Sequence, residues 1–345
     1  MTNSIKTALL AFGMSGQVFH APFIEAHPSF ILYGALQRHI DNVRTKYPHV
    51  KAYDSLEAML ADEDLDLIVI NTPNFTHYEF AKKALLAGKH ILVEKPFTCT
   101  LAEAQELFSL AKKELKHIFV YQNRRYDSGF SAFRDVLEGG KLGKLVEIHF
   151  RFDRFRNHIG PKHFKETNVP GAGLLYDLGP HLIDQALSLF GKPTQVVKTL
   201  GYQRDNTLVD DYFHLHLTYP EQLQIHLTAS LLVAEPREAF VVHGHKGSFR
   251  KMHADVQESQ LLAGLSPMDN KYGIEREQDA GTLTLLMPDG SFQQHTMPSK
   301  KGDYMLFFQA VADTILLDKP FPVKQEEILW QLEILACAPN QIHSF

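Results

Sequence analysis

The stretch LLAFGMSGQVFH, Leu9–His20, decides the fold. An apolar run, KTALLAF, enters Gly13-Met14-Ser15-Gly16, and a helix-compatible segment follows. A short buried strand that turns through glycines into a helix is the context of the G-x-G-x-x-G phosphate turn, here with Ala11 in the first glycine's place. Gly13 would let backbone approach a pyrophosphate, and Gly16 would let the helix pack closely on the strand. The helix start offers N–H donors and a positive dipole end to an anion. Gly13, Met14, Ser15 and Gly16 are therefore candidates for binding a dinucleotide.

Working outward, FILYGAL, LDLIVINT, KHILVEKP and KHIFVYQN are further short apolar runs. Between them NVRTKYP, SLEAMLADE, HYEFAKKALLAG and TLAEAQELFSLAKKEL read as helices, the last opening on a capping box of Thr100 and Glu103. Strand alternating with helix implies βαβ units and a parallel sheet with right-handed crossovers. The pattern breaks after about Tyr121. Beyond it KLVEIHFRF, TQVVKTLGY, DYFHLHLTY, LQIHLTASLLV, AFVVHGHKGSF and GTLTLLMP read as strands of a large, mostly antiparallel sheet, with turn signals such as PDG and HKG. Alternation in DYFHLHLTY places Phe213, Leu215 and Leu217 on one face and Tyr212, His214, His216 and Thr218 on the other. The helical stretch LLYDLGPHLIDQALSLFG enters this half, and YMLFFQAVADTILLDK and QEEILWQLEILACA close the chain. The expected fold class is α/β: a doubly wound parallel sheet over residues 1–122, then an α+β domain on the antiparallel sheet over residues 123–345. The closing helices are free to pack back toward the first domain.

Composition narrows the function. At 345 residues the chain is long enough for two domains. A net charge of −5 argues against a nucleic-acid partner, which needs a basic excess. No run of 18 apolar residues suggests a membrane span, and the N-terminus reads as a first strand, not a signal peptide. Cys99 and Cys337 are too few for a disulfide framework and suit a cytoplasmic protein. The 19 histidines include no H-E-x-x-H or comparable spacing, so no metal site is expected.

The remaining motifs lie where an open α/β sheet collects ligands, at the carboxyl ends of its strands. NTPNFTHYEF supplies Thr72, Pro73, Asn74 and His77, and EKP supplies Glu94, Lys95 and Pro96. At the end of the second strand, GALQRHID carries Gln37 where an NAD site usually has a carboxylate, with Arg38 next to it. A guanidinium can fork onto a 2′-phosphate, so NADP is the expected cofactor, with NAD as the alternative. Further on, Asp177 and His181 stand four apart in a helix, on one face, as an acid/base pair would. YQNRRYD (Arg124, Arg125, Asp127) and RFDRFRNH (Asp153, Arg154, Arg156, His158) are candidates to reach a substrate. Arg124 and Arg125 read equally well as structural ion pairs.

Taken together, the glycine turn, EKP and GAGLLYDLGPHLIDQ resemble the Gfo/Idh/MocA oxidoreductases over nearly the whole chain. GMSGQVFHAPFI, YQNRRYDSGF and YDLGPHLIDQALSLFG look most like a bacterial subgroup that includes an NADP-dependent scyllo-inositol dehydrogenase. The resemblance implies a Rossmann-type first domain and hydride transfer between nicotinamide and the carbinol carbon of a sugar, inositol or related polyol. It implies Lys95 and His181 as the catalytic pair with Asp177 beside them. Thr72, Pro73, Asn74, His77, Glu94 and Asn123 would line the nicotinamide side. Phe164 departs from the tryptophan that subgroup members often carry near the cofactor. Lys95 would stabilise the developing alkoxide, with His181, oriented by Asp177, as general acid/base; sequence leaves open which of Lys95 and His181 accepts the proton. Non-catalytic dinucleotide-binding sensors also occur in such a family, and the complete Lys95, Asp177, His181 set argues against that reading. The polar face bearing His214, His216, Thr218, His226 and Thr228 is expected to pack on a second copy, giving a homodimer or higher homo-oligomer.

Overall fold

A strand buried on both faces reads as a near-continuous apolar run, and β4 in the first third, Leu67–Ile70, is apolar and buried throughout. The computed structural model describes residues 4–36, 40–161 and 163–345. Its first sheet contains β1 (Ile5–Leu9), β2 (Phe30–Leu36), β3 (Lys51–Tyr53), β4 (Leu67–Ile70), β5 (His90–Val93) and β6 (Ile118–Val120). The order is β3-β2-β1-β4-β5-β6, and every adjacent pair is parallel. Helices α1 (Ala21–Ala26), α2 (Ile40–Lys46), α3 (Leu56–Leu60), α4 (His77–Leu86) and α5 (Leu101–Lys113) connect the strands. Ile68, Val69, Ile70, Ile91, Leu92 and Val93 are inaccessible to solvent. Each contributes about 1.5–3 kcal/mol by leaving water. The capping box at α5 is complete: Thr100 Oγ1 accepts from Glu103 N and the Glu103 carboxylate accepts from Thr100 N at 2.9 Å. Strand β3 escapes a periodicity reading because three residues carry too little pattern.

The chain continues through α6 (Ser128–Glu138), β7 (Leu145–Asp153), α7 (His163–Glu166), α8 (Leu174–Phe190), β8 (Gln195–Gly201), β9 (Tyr212–Thr218), β10 (Gln224–Ser230), β11 (Phe240–Gly244), β12 (Gly247–Lys251), α9 (Gln257–Leu262), β13 (Gly281–Leu286), β14 (Phe292–Met297), α10 (Met305–Leu317), α11 (Gln325–Ala336) and β15 (Ile342–Ser344). The second sheet has nine strands in the order β14-β13-β12-β11-β7-β10-β9-β8-β15. It is mostly antiparallel, with β7 and β10 parallel. AFVVHGHKGSF is not one strand but the hairpin β11–β12, turning at His245-Lys246. Phe213, Leu215 and Leu217 are fully buried, as are Ile225, Leu227 and Ala229 of β10, and α8 packs on β7, β9 and β10. The opposite face carries the half-buried polar residues. Helix α6 opens Ser-Gly-Phe-Ser, a weak helix start, and forms because Phe130 and Phe133 pack on Phe150 and Phe240.

Two compact units result. Unit 1 is Met1–Asn123, Glu258–Tyr272 and Asp303–Gln325; unit 2 is Arg124–Gln257, Gly273–Gly302 and Glu326–Phe345. The two late segments join unit 1 through aromatic packing. From the first, Tyr272 meets Phe23 at 6.2 Å between ring centroids; from the second, Phe308 stacks on Phe23 at 5.2 Å, Phe307 meets Tyr121 at 4.8 Å, and Phe321 meets Phe119 at 4.9 Å. Among the described residues no helix is long and apolar enough to cross a membrane.

Candidate active site

Parallel order puts the carboxyl ends of β1, β4, β5 and β6 on one edge of unit 1's sheet. The turn after β1 is held by a residue that sequence reading did not single out. Asn71, first after β4, accepts from Ala11 N at 3.0 Å through Oδ1 and donates to Ala11 O at 2.8 Å through Nδ2. A Cβ on Gly16 would collide with the Ala11 carbonyl oxygen and lie 2.9 Å from Asn71 Nδ2, so only glycine lets the helix approach the strand here. A Cβ on Gly13 would meet nothing within 4 Å, which leaves an open cradle beside the turn. Gly16–His20 form a π-helical turn, and α1 takes over where Pro22 has no N–H to offer the Val18 carbonyl.

Glu94, just past β5, ties this helix start to the edge. Its Oε1 accepts from Ser15 Oγ at 2.6 Å and from His20 Nε2 at 2.9 Å. Burial pushes the Glu94 carboxyl up, but His20, Ser15 and the Lys95 ammonium outweigh it and hold the group at about 2. Glu94 is therefore a carboxylate at any working pH. His20 is fully buried and packs on the Tyr121 ring at 4.5 Å. Only its place four residues after Gly16, on the strand-facing side of the helix, could have marked it in advance.

Lys95 follows directly, and the Lys95–Pro96 peptide is cis. His77 joins the backbone just after this position to the loop after β4. Its Nδ1 lies 2.9 Å from Pro96 O and its Nε2 lies 2.9 Å from Thr72 O. Burial pushes the imidazole below its ordinary pKa, against the pull of the two carbonyls. A neutral ring has one N–H, so it donates to one carbonyl at a time. His77 thus works as a buried clamp between the loops after β4 and β5. Thr72 and Thr76 share a 2.6 Å hydroxyl contact, and Thr76 Oγ1 donates to Pro73 O. Thr72, Pro73 and Asn74 are half-buried, and Asn123 is buried beyond β6.

In unit 2, helix α8 carries Asp177 and His181 with Pro180 between them. Its N-terminus is set by a residue 35 positions away in sequence. Asp210 Oδ2 accepts from Leu175 N at 2.6 Å and Asp210 O accepts from Leu174 N at 2.9 Å. Gly173 has φ +89°, and a Cβ there would collide with Asp210, so glycine is required. Asp177 Oδ1 accepts from Lys165 Nζ at 2.6 Å. No motif marks Lys165 in the sequence. His181 is buried at 6% exposure. Phe164 lies in α7, next to Lys165.

The proposed substrate arginines are occupied in the fold. Arg125 forks onto Asp184 of α8 at 2.7 and 2.8 Å and also donates to Glu327 at 2.7 Å. Arg124 donates to Asp127 at 3.1 Å and lies over the Phe152 ring. Asp153 accepts from both Nε and Nη2 of Arg151, and Arg154 lies over the Phe152 ring at 5.0 Å. Gln37 and Arg38 lie outside the described residues.

The donor set at unit 1's edge suits a dinucleotide: an open glycine cradle at a helix start, polar loops beside it and a lysine at a strand tip. The family description "Oxidoreductase family, NAD-binding Rossmann fold" matches residues 5–122, and "GFO/IDH/MocA C-terminal domain" matches residues 130–250. The chain is 31% identical to the scyllo-inositol 2-dehydrogenase (NADP(+)) IolW of Bacillus subtilis, covering 97% of this chain and 93% of that one. It is 37% identical to the oxidoreductase YhhX of Escherichia coli, over 96% and 95% of the two chains. A crystal structure of an oxidoreductase from Bacillus cereus superposes with a TM-score of 0.90 at 33% identity, over 99% of both chains.

Proposed function

The chain belongs to the Gfo/Idh/MocA family of oxidoreductases, and we propose that it oxidises or forms the carbinol carbon of a sugar, inositol or related polyol with NADP. A nicotinamide bound at unit 1's edge supplies the hydride acceptor or donor. The chain's own side chains do the rest. As the substrate hydroxyl gives up its proton and the carbinol carbon its hydride, negative charge develops on the oxygen, and the Lys95 ammonium stabilises that charge more in the transition state than before it. His181 takes the hydroxyl proton and returns it in the reverse direction. Asp177, one turn earlier on the same face of α8, orients the ring. Glu94 and His77 act through Lys95: they hold its backbone in place, so that little reorganisation is needed. A cytoplasmic setting suits the free thiols Cys99 and Cys337.

The observation that carries this reading is the place of Lys95, at the carboxyl end of β5 on the same sheet edge as the Gly13 turn. The printed name of the Bacillus subtilis relative supports the polyol class and the cofactor. For NADP, the support from this chain is Arg38 beside Gln37. One charge-assisted phosphate contact contributes roughly 1.5–3 kcal/mol, or about ten- to a hundredfold in kcat/KM. The test is a panel of inositols, aldoses and their oxidised forms, assayed with NADP and NAD by absorbance of the reduced nicotinamide. Turnover of at least one polyol, with NADP favoured by that factor, is expected. No turnover across the panel, or a preference for NAD, would overturn the assignment.

A further inference from the structure

The polar face of unit 2's sheet holds an arrangement that the redox chemistry does not use. Alternation along β7 sends Glu147 and His149 to this face while Ile148 and Phe150 go to the core. His149 stands opposite His226 on parallel β10, and His226 stands opposite His216 on antiparallel β9. The three imidazoles form a row across three strands. Ring centroids are 4.8 Å apart for His149–His226 and 4.7 Å for His216–His226, with the planes within 17° of parallel. Helix α8 covers the other face of the same strands, so this cluster and the Asp177–His181 helix lie on opposite sides of the sheet.

Three donor atoms converge here. Glu147 Oε1 accepts a hydrogen bond from His149 Nε2 and lies 3.8 Å from His226 Nε2. One ligand atom from each of Glu147, His149 and His226 falls within 4.8 Å of the other two. A tetrahedral ion with bonds of about 2.0–2.1 Å places its ligands roughly 3.3–3.5 Å apart, so side-chain rotation without backbone movement is enough. The second shell is also in place: His226 Nδ1 lies 3.2 Å from His214 Nε2, which orients the His226 ring with Nε2 toward the carboxylate. Two imidazoles and one carboxylate favour zinc and its first-row neighbours over magnesium or calcium, which want oxygen.

We propose that Glu147, His149 and His226 bind one divalent transition-metal ion, zinc above all, with water completing the tetrahedron. The site is structural: it clamps β7 to β10 and takes no part in the redox step. The bare alternative is a hydrogen-bonded histidine ladder that binds no metal. To decide, untagged full-length protein is stripped with chelator and titrated with Co²⁺, following the visible d–d bands of a tetrahedral nitrogen/oxygen site, and then with Zn²⁺ in competition. One equivalent should bind, and Zn²⁺ should raise the melting temperature. His226→Ala, and separately Glu147→Gln, should weaken binding at least about a hundredfold, more than the loss of an outer-shell partner would. His295→Ala, on β14 with three strands between it and β7, should change nothing. Circular dichroism without metal checks that each variant is folded; if His226→Ala is not, Glu147→Gln alone carries the comparison. Absence of the d–d bands, or equal affinity in the variants and wild type, overturns the proposal.

Discussion

Glu94, half-buried, and Asp210, buried, are carboxylates beside the start of a helix, one in each unit, and they behave in opposite ways. Glu94 meets a hydroxyl, an imidazole and a nearby ammonium, and stays ionised down to about 2. Asp210 meets the Leu175 amide of α8, with the Asp211 charge alongside, and burial pushes it up to about 6. Burial raises a carboxyl in both places. The number and charge of the partners decide which effect wins.

The contrast gives opposite pH dependences. For Glu94 the folded value lies below the ordinary carboxyl range near 4.5, so its stabilisation is complete above that range and lost as pH falls toward 2. A shift of that size corresponds to about 3 kcal/mol. Glu94→Gln, which keeps an acceptor oxygen for Ser15 and His20 and removes the charge, should therefore lower unfolding free energy by about 3 kcal/mol at pH 7, read from denaturant midpoints. A loss below about 1 kcal/mol would mean that Glu94 is not held as an anion. For Asp210 the folded value lies above the unfolded one, so stability is greatest below pH 4 and declines as pH rises through 6. Asp210→Asn keeps an oxygen for Leu175 N–H and removes the ionisation. It should stabilise the protein by about 1–2 kcal/mol at pH 7.5 and by much less at pH 4.5. A destabilisation at pH 7.5 would show that the α8 dipole, and not burial, governs this carboxylate.

What the sequence made legible follows the same division. Apolar runs, glycine turns and the Thr100 capping box are local signals, and the parallel sheet, its order of elements and the candidate motifs could be read from them. The residues that hold the motifs in place act over distance. Asn71 braces Ala11 across 60 positions, Glu94 reaches His20 across 74, and Asp210 reaches Leu175 across 35. No periodicity encodes such pairs. The same holds for the row of Glu147, His149 and His226, which comes together only once the register of β7 and β10 is known. Strand β14 is not legible in the sequence because an exposed polar edge, Phe292–Met297, has no buried face to alternate against.

The central claim is that Lys95 at the tip of β5 stabilises the alkoxide. Lys95→Met removes the charge and keeps the bulk. At saturating NADP and on the best polyol of the panel, kcat should fall by about two to three orders of magnitude while the dissociation constant for NADP changes by less than about threefold, as for the loss of one preorganised electrostatic donor. A variant that keeps near-wild-type kcat would contradict the claim, and so would one whose only defect is weaker NADP binding.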